Sequence, residues 1–204
     1  MKRSSVILSV AFLIMFVLFC LALKKEVGAA EKSKQGCDSE KTIDDYTKKI
    51  ESNPNDAKAY KDRGNVHTKT GNNREAIRDF DKAIELDPQY ADAYNDRGIA
   101  YWRLKNQEQA IKDFDKAIEL DPKHAKAYYN CGNAYWSVGN YEMAIKKYDK
   151  AIELDPEYSY AYHNRGMTHW KLGNKEKFIE DLTTSSRLGD KISQDFLRSK
   201  GIQW

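Results

Sequence analysis

The chain has 204 residues, 41% of them hydrophobic, which suits one ordinary domain with a core and is too little for several. Its net charge is +3, but four of the 34 basic residues and one of the 31 acidic ones precede Glu31, so the remainder is balanced. That balance leaves no basic excess to displace counterions, which argues against a nucleic-acid partner. The three cysteines, Cys20, Cys37 and Cys131, share no zinc or redox spacing.

Lys2 and Arg3 precede an unbroken apolar run, VILSVAFLIMFVLFCLAL, over residues 6–23. The run is near the lower limit for crossing a bilayer and long for a signal-peptide core. Val27, Ala29 and Ala30 offer small residues for cleavage, whereas Lys24 and Lys25 oppose it. Residues 1–30 therefore fit either a signal peptide or an uncleaved single-pass anchor. Both place the rest of the chain outside the cytoplasm, exported to the periplasm or secreted, or tethered to the membrane through residues 6–23. Residues 31–56 read as a linker and an amino-terminal capping helix, with TIDDYTKKIESNP imitating the second helix of a pair.

An internal period dominates residues 57–192. Pro88, Pro122 and Pro156 lie 34 residues apart and close three similar segments, 57–90, 91–124 and 125–158. A fourth, degenerate copy over 159–192 lacks the proline. Each copy reads as two helices. In the second helix of the first copy, Ala76, Ile77, Phe80, Ala83 and Ile84 form one apolar stripe at helical spacing. Gly71-Asn72, Gly139-Asn140 and Gly173-Asn174 predict a left-handed helix end followed by an N-cap, and Lys105-Asn106 predicts a strained version of that turn. Gly64, Gly98, Gly132 and Gly166 fall mid-helix, where glycine costs about 1 kcal/mol against alanine. They predict a close crossing, with Ala76, Ala110 and Ala144 as the facing surface and Tyr60, Tyr94, Tyr128 and Tyr162 filling between copies. Asp79/Asp81 and Asp113/Asp115 read as solvated helix face. Residues 193–204 read as a carboxy-terminal capping helix and tail, with Ile192, Phe196 and Leu197 sealing the stack above Ile202 and Trp204.

Strings such as YNDRGIAYW and AIKDFDKAIELDP resemble the tetratricopeptide repeat family over two thirds of the chain. Arg63, Arg97 and Arg165 stand where the family signature has Leu, with Cys131 the exception, and His67 and His169 replace an aromatic residue. The resemblance implies an all-α fold, a right-handed superhelical solenoid of antiparallel helix pairs with about four repeats plus capping helices. It also implies a scaffold that binds a peptide or partner protein on its concave face, with self-assembly through the repeat ends, a homo-oligomer, as the alternative. Chaperone-binding members clamp a terminal carboxylate. Lys61, Asn65 and Lys126 match that clamp, but Asp96 and Asn130 depart from it, so no strong preference for a free carboxy terminus is expected.

No phosphate loop, nucleophile elbow or metal-ligand spacing is present, so no enzyme activity, cofactor or metal is expected. His67, His124, His163 and His169 read as packing residues. The candidate partner-binding residues are those that helical rotation turns toward the concave face. Trp102, Trp136 and Trp170 would form a ladder of indoles, with Asn95, Tyr129 and His163 two turns earlier and Asn133 and Met167 between them. Thr68 holds the equivalent place in the first copy, so the ladder should begin at the second.

Overall fold

The turns predicted from glycine and asparagine set the element boundaries. The computed structural model describes residues 41–204, and its helices run α1 (residues 41–52), α2 (Ala57–Thr70), α3 (Asn73–Leu86), α4 (Ala91–Arg103) and α5 (Gln107–Leu120). They continue as α6 (Ala125–Ser137), α7 (Tyr141–Leu154), α8 (Ser159–Lys171), α9 (Lys175–Arg187) and α10 (Lys191–Ser199), with no strand among the described residues. The apolar run at 6–23 and Cys20 and Cys37 lie outside them. Gly71, Gly139 and Gly173 take φ of 87°, 78° and 81°, a region open to glycine without steric cost. Lys105 is forced there too, at φ 61°, the strain expected of the second copy. The side chains of Asn106, Asn140 and Asn174 accept from the N–H of Gln109, Met143 and Lys177. Asn72 departs from expectation: its ψ of 58° falls short of the 75–85° of the other three, and its side chain caps nothing.

Second helices end at Leu86, Leu120 and Leu154. In each following turn the aspartate before the proline accepts from the N–H two residues on: Asp87 from Gln89, Asp121 from Lys123, Asp155 from Glu157. The Asp-Pro pair thus works as a unit, the ring fixing φ and the carboxylate closing the turn.

Helices pair as α2/α3, α4/α5, α6/α7 and α8/α9, and each second helix packs on the next first helix. First helices also touch one another, α2 with α4, α4 with α6 and α6 with α8, so the stack curves with the first helices inside. The core is a row of fully buried alanines and rings along the helix seams, Ala76, Phe80 and Ala100 in one layer and Ala110, Phe114, Cys131 and Ala134 in the next.

The mid-helix glycines do mark close crossings, but alanine is not what they meet. A Cβ at Gly64 would lie 2.7 Å from the Phe80 ring, at Gly98 2.7 Å from Phe114, and at Gly132 2.5 Å from Tyr148. The large residue of the second helix lies flat on the bare glycine of the first. In the fourth pair the smaller Leu182 fills this place against Gly166, and Phe178, standing where the other copies have alanine, restores the volume.

Of the aspartates read as solvated face, Asp81 is exposed and Asp115 partly so, but Asp79 and Asp113 are buried. Asp79, Asp113 and Asp181 are 5%, 6% and 3% exposed, each gripped by two nitrogens of the arginine sixteen residues earlier, Arg63, Arg97 and Arg165. The same guanidinium reaches back to the preceding pair, Arg97 to Asp81 and Arg165 to Asp149 at 2.7 and 2.6 Å. Arg63 does this with Thr47 of α1, which stands 34 residues before Asp81. α1 therefore occupies the place of a preceding second helix, covering the first pair. Burial would lower the Arg97 pKa, but the carboxylates of Asp113 and Asp81 outweigh it and hold the guanidinium charged. The recurring tyrosines before these arginines, Tyr60, Tyr94 and Tyr162, are half-buried with a guanidinium over each ring.

At the other end α10 seals the stack through Leu197, fully buried, with Phe196 edge-on to Phe178 at 5.4 Å and Ile202 against the same cluster. Ile192, expected to join them, is 65% exposed; the inward place is taken by its neighbour Ser193, fully buried one turn before Leu197. Trp204 is not tucked beneath the helix either; it stays exposed with the Arg198 guanidinium over its ring.

Candidate interaction groove

Four of the eight candidate residues come together. Trp102 of α4, Asn133 and Trp136 of α6 and Met167 of α8 line one groove of about 340 Å³ on the inside of the stack. Trp102 is 43% and Trp136 38% exposed. A pocket of this size is at the lower end of those that hold small ligands, enough for one or two side chains. Three residues outside the aromatic ladder complete it: Tyr148 at the floor, Asn164 on α8 and Ser137 at the end of α6. None of the lining residues is charged.

The other four candidates are spent elsewhere. Asn95 is buried and accepts from Asn130 at 2.9 Å, while it donates to Asp96. Tyr129 accepts from Asn164 at 3.0 Å and packs against Tyr148 and Tyr158. These contacts tie each first helix to the next, so both residues are inter-repeat fasteners. His163 turns toward α10, its Nδ1 3.0 Å from Asp190 and 2.8 Å from Ser193. Trp170 is 48% exposed but lies outside the groove, with its ring 5.0 Å from the buried Phe178. Trp136 has a ring partner too, Tyr141 at 6.2 Å, so what sets Trp170 apart is its place outside the groove, and the ladder shortens from three rungs to two. Thr68, as expected, starts no ladder: it is buried, its hydroxyl donating to the Gly64 carbonyl.

The sequence does carry a signal for these ties, in the period of its asparagines. Asn164 repeats the place of Asn130 and of Asp96, and each of the three faces the preceding first helix. Asn164 Nδ2 donates to Asn133 Oδ1 at 2.7 Å, which also accepts from the Tyr148 hydroxyl at 2.7 Å. Asp96 meets Asn65 and Lys61. Burial pushes its carboxyl above the ordinary range, although Asn65 and Lys61 pull the other way.

The histidines hold the fold. His169 is buried, and burial lowers its pKa. His124 accepts from the Ala127 N–H at the start of α6 and meets Asp92 of the preceding pair at 3.0 Å. His67 is half-buried, with Nε2 3.9 Å from Asp79. Cys131 is fully buried, and burial pushes its thiol up to about 12, so it is no nucleophile. Among the described residues no three His, Cys, Asp or Glu side chains cluster as metal ligands, and no helix is long and apolar enough to cross a membrane.

A stack of helix pairs curved around an uncharged groove defines a helical-repeat solenoid built as an interaction scaffold. Family models described as TPR repeat or tetratricopeptide repeat match residues 64–105, 91–124, 125–158 and 147–177, together more than half of the chain. The chain belongs to the tetratricopeptide repeat family. Among solved structures it is similar to a crystal structure of MamA, with 26% identity and a TM-score of 0.68, covering 80% of this chain and 95% of that one. MamA 41-end from Desulfovibrio magneticus RS-1 shares the fold at 24% identity and a TM-score of 0.67, covering 77% of this chain and 88% of that one. The first TPR of Spaghetti (RPAP3), bound to the HSP90 peptide SRMEEVD, is similar at 31% identity and a TM-score of 0.56, covering 57% of this chain and 93% of that one. No curated protein matches the chain.

Proposed function

We propose that this protein holds a partner protein by a peptide segment laid in the groove between Trp102, Trp136 and Met167. The observation that carries this reading is the pair of half-exposed indoles facing a shared cavity on the inside of the stack. Rigid indoles supply much of the energy of binding hot spots at low entropy cost. The likeness to a TPR that is bound to a peptide supports it. The test is Trp136→Ala. The variant keeps its melting temperature within a few degrees and loses about 2 kcal/mol of partner binding. Unfolding with unchanged binding per folded molecule would make Trp136 a core residue and end this reading.

The basic start and the apolar run at 6–23 support a location outside the cytoplasm, tethered or released. Intact protein found in the cytosol, protected from external protease and washed free of membrane, contradicts it. Self-assembly through the repeat ends is a second reading, favoured by the exposed Ile192 on the last helix. A mass in solution that stays monomeric with and without α10 removes it.

A further inference from the structure

The turns that join first to second helices fall along one rim of the stack, because each pair repeats the orientation of the one before. Six of the nine large apolar side chains exposed among the described residues lie at that rim. Trp102, Trp136 and Trp170 are the penultimate residues of α4, α6 and α8, and Leu104, Val138 and Leu172 directly follow those helices. The last three are 41%, 52% and 45% exposed and line no part of the groove. Their place does not demand an apolar residue, since the first copy holds the exposed, polar Thr70 there.

The same rim is basic. Its four turns, residues 69–75, 103–109, 137–143 and 171–177, carry seven basic and four acidic residues. The matching turns of the opposite rim, 86–92, 120–126, 154–160 and 188–194, carry three basic and six acidic ones. The chain's balanced charge is thus divided between its two edges. All seven cations of the first rim are exposed, and none forms an ion pair among the described residues. On the helix flanks, by contrast, Lys82, Lys116 and Lys150 are each paired with a glutamate of the next turn.

Indoles and leucines set among lysines suit the headgroup level of an anionic bilayer, where the rings settle and the cations meet phosphates. A second copy fits less well. Its acidic rim would bring two large exposed apolar side chains, Tyr160 and Ile192, to cover six. Residues 6–23, read as a tether, supply proximity to a membrane, and for proximity the inference rests on that reading.

We propose that the protein lies on an anionic membrane surface by this rim, with Leu104, Val138 and Leu172 set into the interface and Lys105, Lys171 and Lys175 against lipid phosphates.

The chain has four tryptophans, Trp102, Trp136, Trp170 and Trp204, so their fluorescence is blind to residues 6–23. In a Trp204→Phe background the remaining indoles are those of the rim. The full-length chain is mixed with vesicles of phosphatidylcholine, alone or in equimolar mixture with phosphatidylglycerol, whose brominated acyl chains quench an indole only at close range. Flotation reads attachment by any route, and quenching reads the rim. Quenching should appear with anionic vesicles and be lost with neutral ones, or in high salt, which screens exposed charges. Leu104→Asn, Val138→Asn and Leu172→Asn together should abolish it with circular dichroism unchanged. Lys171→Glu with Lys175→Glu should abolish it too, and decides alone if the asparagines cost helix. Flotation without quenching overturns rim docking and leaves the tether standing. Flotation and quenching only with anionic lipid end the tether and uphold the rim, whereas neither signal ends both. Quenching that survives the three asparagines in a folded chain puts lipid in the groove and overturns the inference. So does quenching equal in neutral and anionic vesicles.

Discussion

The second and third helix pairs solve one packing problem with opposite charge placement. In the second, Arg97 on the first helix bridges Asp113 of its own pair and Asp81 of the pair before. In the third, Cys131 holds the arginine's place and Lys147 the aspartate's, and Lys147 reaches Asp115, the counterpart of Asp81, at 2.6 Å. The cation has moved from the first helix to the second, yet it still lies over the tyrosine rings, 5.9 Å from Tyr128 and Tyr135. What stays constant is the acid contributed by the preceding pair. The stack therefore requires one cation at each seam, paired backward, and does not prescribe which helix supplies it.

The largest expected effect comes from breaking this rule in the third pair. Cys131→Arg brings a guanidinium against the Lys147 ammonium with one carboxylate between them, and should destabilise by about 3 kcal/mol. Adding Lys147→Asp recreates the second pair's arrangement and should recover most of that loss. A double-mutant cycle by urea denaturation would read a coupling of about 2 kcal/mol. Additive effects would show the two places to be independent and the comparison empty.

The glycines sharpen it at intermediate size. Gly132→Ala meets the Tyr148 ring, whose hydroxyl is pinned to Asn133, whereas Gly98→Ala meets Phe114, which has no such tie. Overpacking costs about 1–3 kcal/mol, offset by about 1 kcal/mol of helix propensity. Gly132→Ala should cost more, by thermal denaturation, than Gly98→Ala; the reverse order would place the constraint in the backbone rather than in the ring's hydroxyl.

The smallest effect lies at the inner ties, where the second pair has Asp96 and the third Asn130. Burial raises the folded-state Asp96 pKa above its ordinary 3.8, so the folded chain binds the proton more tightly and loses stability as pH rises through that interval. Asp96→Asn should therefore raise Tm by about 1–2 °C at pH 7, with the gain vanishing as pH falls below the unfolded value. A loss at pH 7 would show that the Lys61 contact outweighs desolvation, and a gain that persists in acid would place its cause outside the carboxylate's charge.

The sequence alone determined the helix pairs, their period, the strained turn at Lys105 and the packing role of the histidines, because those depend on residues close along the chain: helical spacing, a left-handed glycine, a proline stop. It also pointed to the arginine place and to Cys131 as the exception. The matching change at Lys147, sixteen residues on, was in the same string, but only the tertiary structure showed that those places touch. Burial followed the same division. Asp79 and Asp113 read as surface because charge is normally solvated, and a guanidinium from a neighbouring helix reversed that. Trp102, Trp136 and Trp170 are equivalent in sequence, and local rotation aims all three inward. Tertiary packing separated them: Trp102 and Trp136 share a cavity between successive helices, and Trp170 lies outside it. Side-chain partners across helices decide such outcomes, and no local pattern encodes them.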